Sequence, residues 1–183
     1  ELVEWVVAAE KSQPAGTRLI DIGTGSGCIA ISLSKKLPHV EVTGADISEQ
    51  ALGIARENSR QLSAKVEWLP LDFLTTDLAQ CPRASLIVSN PPYIPLNEKA
   101  TMPAQVVRFE PQEALFVPDN DPLVFYRRLA DYLLTQAPGA RLYVEIHEKL
   151  GHDVVALFND KHLSEVELRQ DMQGKDRMVR ATR

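Results

Sequence analysis

A short apolar run leading directly into three alternating glycines narrows the folds open to this chain more than any other feature. Arg18-Leu19-Ile20-Asp21-Ile22 has the character of a buried strand, and Gly23-Thr24-Gly25-Ser26-Gly27 follows it without a break. Glycines spaced this way let the backbone turn sharply and approach a ligand closely. A helix over about residues 27 to 36 should follow, with its N-terminal amides facing the same crevice. Strand, glycine turn and helix in that order open a β-α-β unit.

The alternation continues along the chain. Val40-Glu41-Val42-Thr43-Gly44-Ala45-Asp46 reads as a second strand, and Ser48 is placed to cap a helix running through Ala51, Leu52, Ala55 and Leu62. Strands are also expected over Lys65 to Leu69, over Ser85 to Ser89 and, after the break at Pro138-Gly139, over Arg141 to Ile146. Such repetition implies a mainly parallel sheet covered by helices on both faces. Glu165 to Arg169 and Arg177 to Thr182 are strand-like too, with only the Gln173-Gly174-Lys175 region between them, which predicts an antiparallel hairpin at one sheet edge. The expected fold class is therefore α/β and Rossmann-like: a mainly parallel seven-stranded sheet with a C-terminal antiparallel hairpin. The Pro-rich stretch from Pro95 to Pro122 is long for an ordinary connection and is read as a functional loop.

Bulk properties exclude several classes. The 183 residues suit one domain, and 44% apolar with 25% charged residues is an ordinary globular balance. No apolar run approaches the roughly 18 residues that a membrane-spanning helix needs, so no membrane partner is expected. Cys28 and Cys81 are the only cysteines and have no metal-ligand spacing, and nothing at the N-terminus resembles a signal peptide. That points to a reducing cytoplasm. A net charge of −5 weighs against a chain whose main task is wrapping nucleic acid, so no stable nucleic-acid binding is expected. The chain is expected to be a monomer. It begins at Glu1 and enters a helical pattern at once with Leu2, Val3, Val6 and Val7, which reads as a truncated start.

The glycine spacing is one residue shorter than the dinucleotide pattern G-x-G-x-x-G, so an adenosyl amino acid matches it better than a pyrophosphate. Asp46 closes the second strand about 20 residues further on, where a carboxylate can accept hydrogen bonds from both hydroxyls of a ribose. Asp72-Phe73 follows the third strand and would set a carboxylate near an exocyclic amine and an aromatic edge beside an adenine. The alternative there is a loop Asp beside a core Phe. Asp21 would bond either the loop amides or the amino group of the ligand, or serve structure alone.

Asn90-Pro91-Pro92-Tyr93 follows the apolar strand Leu86-Ile87-Val88, at the sheet edge where open α/β folds place their ligands. Two consecutive prolines fix φ and remove two N–H donors, leaving a stiff turn rich in acceptors. An amide nitrogen is a poor nucleophile because its lone pair is delocalised, so a site that methylates one must aim it. The Asn90 side-chain oxygen and the Pro91 carbonyl could accept both hydrogens of an –NH₂ group and stabilise positive charge as it moves onto nitrogen. Tyr93 would supply an aromatic wall for the planar group. No strong general base is then required.

Together, Asp21-Ile22-Gly23-Thr24-Gly25-Ser26-Gly27, Asp46-Ile47-Ser48 and Ile87-Val88-Ser89-Asn90-Pro91-Pro92-Tyr93-Ile94-Pro95 resemble the HemK/PrmC family of release-factor glutamine methyltransferases. The similarity continues in Arg108-Phe109-Glu110-Pro111 with Ala114-Leu115, and in Asp171 with Gly174 and Asp176-Arg177. The resemblance implies a class I methyltransferase catalytic domain spanning residues 1–183. It would transfer a methyl group from S-adenosylmethionine, releasing S-adenosylhomocysteine, to N5 of the glutamine in the Gly-Gly-Gln motif of class 1 peptide chain release factors. It implies cofactor contacts from Asp21, Gly23, Thr24, Gly25, Ser26, Gly27, Asp46, Ile47, Asp72, Phe73 and Asn90. Catalysis would fall to Asn90, Pro91 and Tyr93, and glutamine binding to these with Pro92 and Glu110. The family also carries an N-terminal helical domain that helps dock the release factor, which this chain lacks. Glu145-Ile146-His147-Glu148-Lys149-Leu150-Gly151 departs from a more usual glycine-containing segment.

Two other acceptors present the same chemical problem: a glutamine in a ribosomal protein, and the exocyclic amine of a nucleobase. The second needs phosphate contacts and a flipped base, and neither the charge nor an evident recognition insert supports it. A chain that binds the cofactor without turnover would have no need of Asn90 to Tyr93. His147-Glu148 with His152 approximates the zinc pattern H-E-x-x-H one residue late, and on a helix that spacing would set the imidazoles about 140° apart. No metal is expected.

Overall fold

The computed structural model describes residues 1–95, 116–117 and 120–183. Helix α1 (Leu2–Glu10) is followed by β1 (Thr17–Ile22), α2 (Cys28–Lys36), β2 (Val40–Asp46), α3 (Glu49–Gln61), β3 (Val66–Pro70) and β4 (Leu86–Ser89). Then come the short strands β5 (Ile94–Pro95) and β6 (Phe116–Val117), α4 (Val124–Thr135), β7 (Arg141–Glu145), α5 (Gly151–Asp160), β8 (Ser164–Gln170) and β9 (Asp176–Thr182). Seven strands form one sheet in the order β3-β2-β1-β4-β7-β9-β8. The first five are parallel, while β9 runs antiparallel to both β7 and β8. This is the expected Rossmann-like architecture, with one feature that local pattern could not show: β9 lies inside the sheet and β8 forms the edge.

Alternation along the strands builds two cores. Leu19, Leu86, Val88 and Tyr143 face α1 and α2, packing with Trp5, Val6, Ala30 and Leu33. Ile20, Ile22, Ile87, Leu142 and Val144 face the other way, against Tyr126, Leu129 and Leu133 of α4 and Val154 and Phe158 of α5. Strands covered on both sides must be apolar at successive positions, which is why they read as continuous runs. Ser48 caps α3 as its sequence suggests, its hydroxyl accepting from the Ala51 amide at 3.2 Å.

The chain winds from β1 outward to β3, then returns to place β4 on the other side of β1. The carboxyl ends of β1 and β4 therefore flank the point where the winding reverses, and a crevice opens there in doubly wound sheets. Register aligns Ala45, Ile22, Ser89 and Val144 across β2, β1, β4 and β7. One residue further along each strand stand Asp46, Gly23, Asn90 and Glu145.

Candidate active site

The turn after β1 rests on its neighbour: the amides of Gly23 and Thr24 both donate to the Ala45 carbonyl, at 2.9 and 3.0 Å. Gly23, Gly25 and Gly27 all have positive φ, at 70°, 55° and 84°. Their reasons for being glycine differ. A Cβ at Gly23 or Gly25 would meet nothing within 4 Å, so that side of the loop is open for a ligand. A Cβ at Gly27 would lie 2.6 Å from the Trp68 ring and 3.1 Å from Ala55, so the third glycine serves packing beneath the loop. Thr24 also turns inward; it is 8% exposed, and its hydroxyl donates to Asp21 at 2.6 Å. Ser26 faces out and ties the loop to α3, its carbonyl accepting from the Asn58 side chain at 2.9 Å.

Asp21 is fully buried under this loop. One carboxyl oxygen accepts from Thr24 and from the Ala30 amide at 3.2 Å, while the other, Oδ1, has no hydrogen-bond partner. Burial pushes the Asp21 carboxyl up to about 7, against the pull of the Thr24 and Ala30 hydrogen bonds. Asp46 braces the loop from β2: its Oδ2 accepts from the Gly25 amide at 2.8 Å and its Oδ1 from the Ser48 amide at 2.9 Å. Each oxygen takes one amide here and retains acceptor capacity for a further donor. Beside it Ile47 is 58% exposed, an apolar surface at the mouth of the crevice.

The residues after β3 are committed elsewhere. The Asp72 carboxylate closes its own turn, accepting from the amides of Leu74 and Thr75 at 3.2 and 3.3 Å and from the Thr75 hydroxyl at 2.6 Å. Phe73, expected to offer an edge to an adenine, is 5% exposed and sits in the core, edge-on to Tyr132 with centroids 5.6 Å apart. That placement matches the alternative of a core Phe beside a loop Asp.

Asn90-Pro91-Pro92-Tyr93 leaves β4 directly beside the glycine loop. The Ser89 hydroxyl, fully buried, donates to the Ile22 carbonyl at 2.7 Å and locks the two strand ends together. Asn90 is exposed, Pro91 buried, and Pro92 and Tyr93 half-buried. Tyr93 packs edge-on to His147 with centroids 5.9 Å apart, two residues beyond Glu145 at the end of β7. Glu145 went unremarked as a site residue in the sequence, although a charged residue closing an apolar strand at a ligand-bearing edge is a usable signal. Burial raises its carboxyl above the usual range, while Arg177 and the Tyr93 hydroxyl pull it back. Glu110 and most of the Pro95 to Pro122 loop lie outside the described residues, as do the family-like positions from Arg108 to Leu115.

His147 and Glu148 precede α5 rather than lying in it, so the helical spacing argument does not apply to them. Glu148 pairs with Lys175 at 2.5 Å, and among the described residues no group of three or more His, Cys, Asp or Glu is placed to hold a metal. A groove of about 870 Å³ opens at the other rim of the sheet, where Arg18, Lys35 and Lys65 alternate with Glu41 and Glu67. Its mixed charges and its distance from the carboxyl edge separate it from this constellation.

The methyltransferase small domain family model matches residues 6–110. A release factor glutamine methyltransferase from Bacteroides thetaiotaomicron is 47% identical over 186 residues, covering 100% of this chain. The chain spans 65% of that relative's length. A solved protein-(glutamine-N5) methyltransferase (release factor-specific) from Alicyclobacillus acidocaldarius is 31% identical, with a TM-score of 0.61 over 100% of this chain and 89% of that one. The chain belongs to the methyltransferase small domain family and to the release factor glutamine methyltransferases. The family resemblance of Asn90 to Tyr93 and the glycine loop thus extends to the whole described fold. The ribosomal protein L11 methylase from Lactobacillus delbrueckii is 16% identical with a TM-score of 0.62 over 100% of this chain and 77% of that one, a likeness of fold.

Proposed function

We propose that this chain is the catalytic domain of an enzyme that methylates N5 of the glutamine in the Gly-Gly-Gln motif of class 1 peptide chain release factors. S-adenosylmethionine is the donor, and the cytoplasm, where translation ends, is the place. The observation that carries this reading is the buried Ser89–Ile22 hydrogen bond, which sets Asn90-Pro91-Pro92-Tyr93 against an open glycine loop.

The residues present suit the cofactor. Open space above Gly23 and Gly25, the unpartnered Asp21 Oδ1, the spare acceptor capacity of Asp46 and the exposed Ile47 match a backbone approach, an amino group, a ribose and an adenine face in turn. When bound, the cofactor supplies a methyl group on a sulfonium centre. The chain's part is to aim the acceptor. The Asn90 side-chain oxygen and the Pro91 carbonyl take the two amide hydrogens, which turns the nitrogen lone pair towards the methyl and steadies the charge that nitrogen gains. Tyr93 flanks the amide plane. The nitrogen then loses its proton to water, so the site needs no base of its own. Asp72 and Phe73 are left to shape the turn and core beneath the cofactor. An N-terminal domain that helps dock the release factor completes the native protein in this reading.

The test is transfer of radiolabelled methyl from S-adenosylmethionine to a purified release factor by the native protein and by Asn90→Ala. Removing one acceptor aimed at developing charge should lower kcat by about 100-fold or more. Label absent from the Gly-Gly-Gln glutamine, with cofactor bound, would sink the proposal. Label on a ribosomal protein instead would favour the alternative acceptor.

A further inference from the structure

Trp68, in the middle of β3, reaches beneath the glycine loop from two strands away. The sheet register sets Asp21, Gly44 and Trp68 in one row across β1, β2 and β3. The middle member of that row has no side chain, and the indole lies across the space. A Cβ added at Gly44 would stand 2.4 and 2.7 Å from Cζ3 and Cε3 of the ring, and 3.0 Å from the Thr24 hydroxyl. A Cβ added at Gly27 would stand 2.6 Å from Cη2 of the same ring. The indole therefore meets the loop near both its ends, at Thr24 and at Gly27. Its orientation is fixed by α3: Nε1 donates to Ser59 Oγ at 3.3 Å, and that hydroxyl donates to the Arg56 carbonyl at 2.9 Å.

A flat ring held by one hydrogen bond at its edge is a rigid spacer. Close-packed interiors pass a displacement on rather than absorb it, so the place of the loop over the sheet follows from the body of the ring. What stands on that spacer is the surface offered to the cofactor. Thr24 carries the hydroxyl that holds Asp21, and the open positions at Gly23 and Gly25 lie between the two points of support. Gly44 lies within β2 and has no positive φ, so conformational freedom does not account for its glycine. The room taken by the indole does.

We infer that Trp68 is a positioning residue for S-adenosylmethionine, whose indole is the floor that sets the glycine loop at its working height, and that Gly44 is glycine to admit it. The inference concerns cofactor binding and stands apart from the identity of the methyl acceptor.

The test compares Trp68→Phe, Trp68→Leu, Gly44→Ala and the double variant Gly44→Ala with Trp68→Leu in the native protein, each with its Tm. S-adenosylhomocysteine is titrated calorimetrically, well below every Tm. Trp68→Leu and Gly44→Ala should each weaken binding about 10-fold or more, and Trp68→Phe, which keeps a flat ring, should lose less. The double variant returns a methyl group to the space that the indole leaves, so it should bind at least as tightly as the better single variant. A purely structural indole would lower Tm and leave affinity unchanged, and that result overturns the inference. Additive losses in the double variant overturn it as well. A second readout uses the unsubstituted ring: the Nε1–H resonance of Trp68, assigned by its absence in Trp68→Phe, should move when S-adenosylhomocysteine saturates the protein. An unmoved resonance overturns the inference even where Trp68→Leu fails to fold. Loss of binding in these variants of a protein that methylates no glutamine would uphold the floor and sink the proposed reaction.

Discussion

Asp21 keeps a carboxyl far from its unfolded state, and its effect on stability has a definite sign. Its carboxyl titrates near 3.8 when unfolded and is pushed up to about 7 when folded, so the folded protein holds this proton more tightly. The stabilisation is present in full below the unfolded value and is lost as pH rises towards and past the folded one. Such a shift corresponds to about 4 kcal/mol. Calorimetric Tm measured across pH 5 to about 8 should therefore fall more steeply for the native chain than for Asp21→Asn, and parallel curves would refute the assignment. That Asp21 would serve the loop, a ligand or structure alone was legible from its place before the glycines. The unpartnered oxygen was not, since it depends on Ala30 and Thr24 meeting the other one. Phe73 shows the same limit: an aromatic after an acid at a strand end suits a ligand wall, but Tyr132, distant in sequence, claims its edge.

The turn from β1 to α2 shows that three like residues need not be equivalent. Gly23→Ala places its methyl in open space and carries only the strain of a left-handed conformation, about 1 kcal/mol. Gly27→Ala adds that strain to a collision with the Trp68 ring, whose Nε1 donates to Ser59 Oγ at 3.3 Å, and should cost about 2 to 4 kcal/mol. Chemical denaturation ranks the two, and equal losses would mean that Trp68 yields. Cofactor titration should rank them differently, with Gly23→Ala losing more affinity than its stability suggests. Strand positions, the turn itself and the Ser48 cap were legible because each follows from local chemistry. The packing role of Gly27 was hidden, as it requires knowing that β3 puts an indole beneath the loop. The sheet order was hidden too, since nothing local in Asp176 to Thr182 says that β9 will insert between β7 and β8.

Across the molecule, Glu10 ties the first helix to the sheet. Its fully buried carboxylate takes Arg141 at 2.5 Å and the Tyr143 hydroxyl, joining α1 to β7. Glu10→Ala leaves a guanidinium without its partner, but Arg141 is 31% exposed and water can recover part of the loss. The expected cost is about 2 to 3 kcal/mol, read as an earlier urea midpoint, with cofactor affinity unchanged. A midpoint within error of the native one would show that the helix docks by its apolar face alone, through Leu2, Trp5 and Val6. The place of β9 also bears on the order in which the molecule can be assembled. A ribosome releases β7 and β8 before the strand that must sit between them, so β7 can pair only with β4, and β8 with no strand of the sheet, until β9 has emerged. Until then β7 shows a bare edge, the kind of surface that invites pairing with the wrong chain. The nascent protein is therefore most exposed to misassembly in the interval between the release of β7 and that of β9.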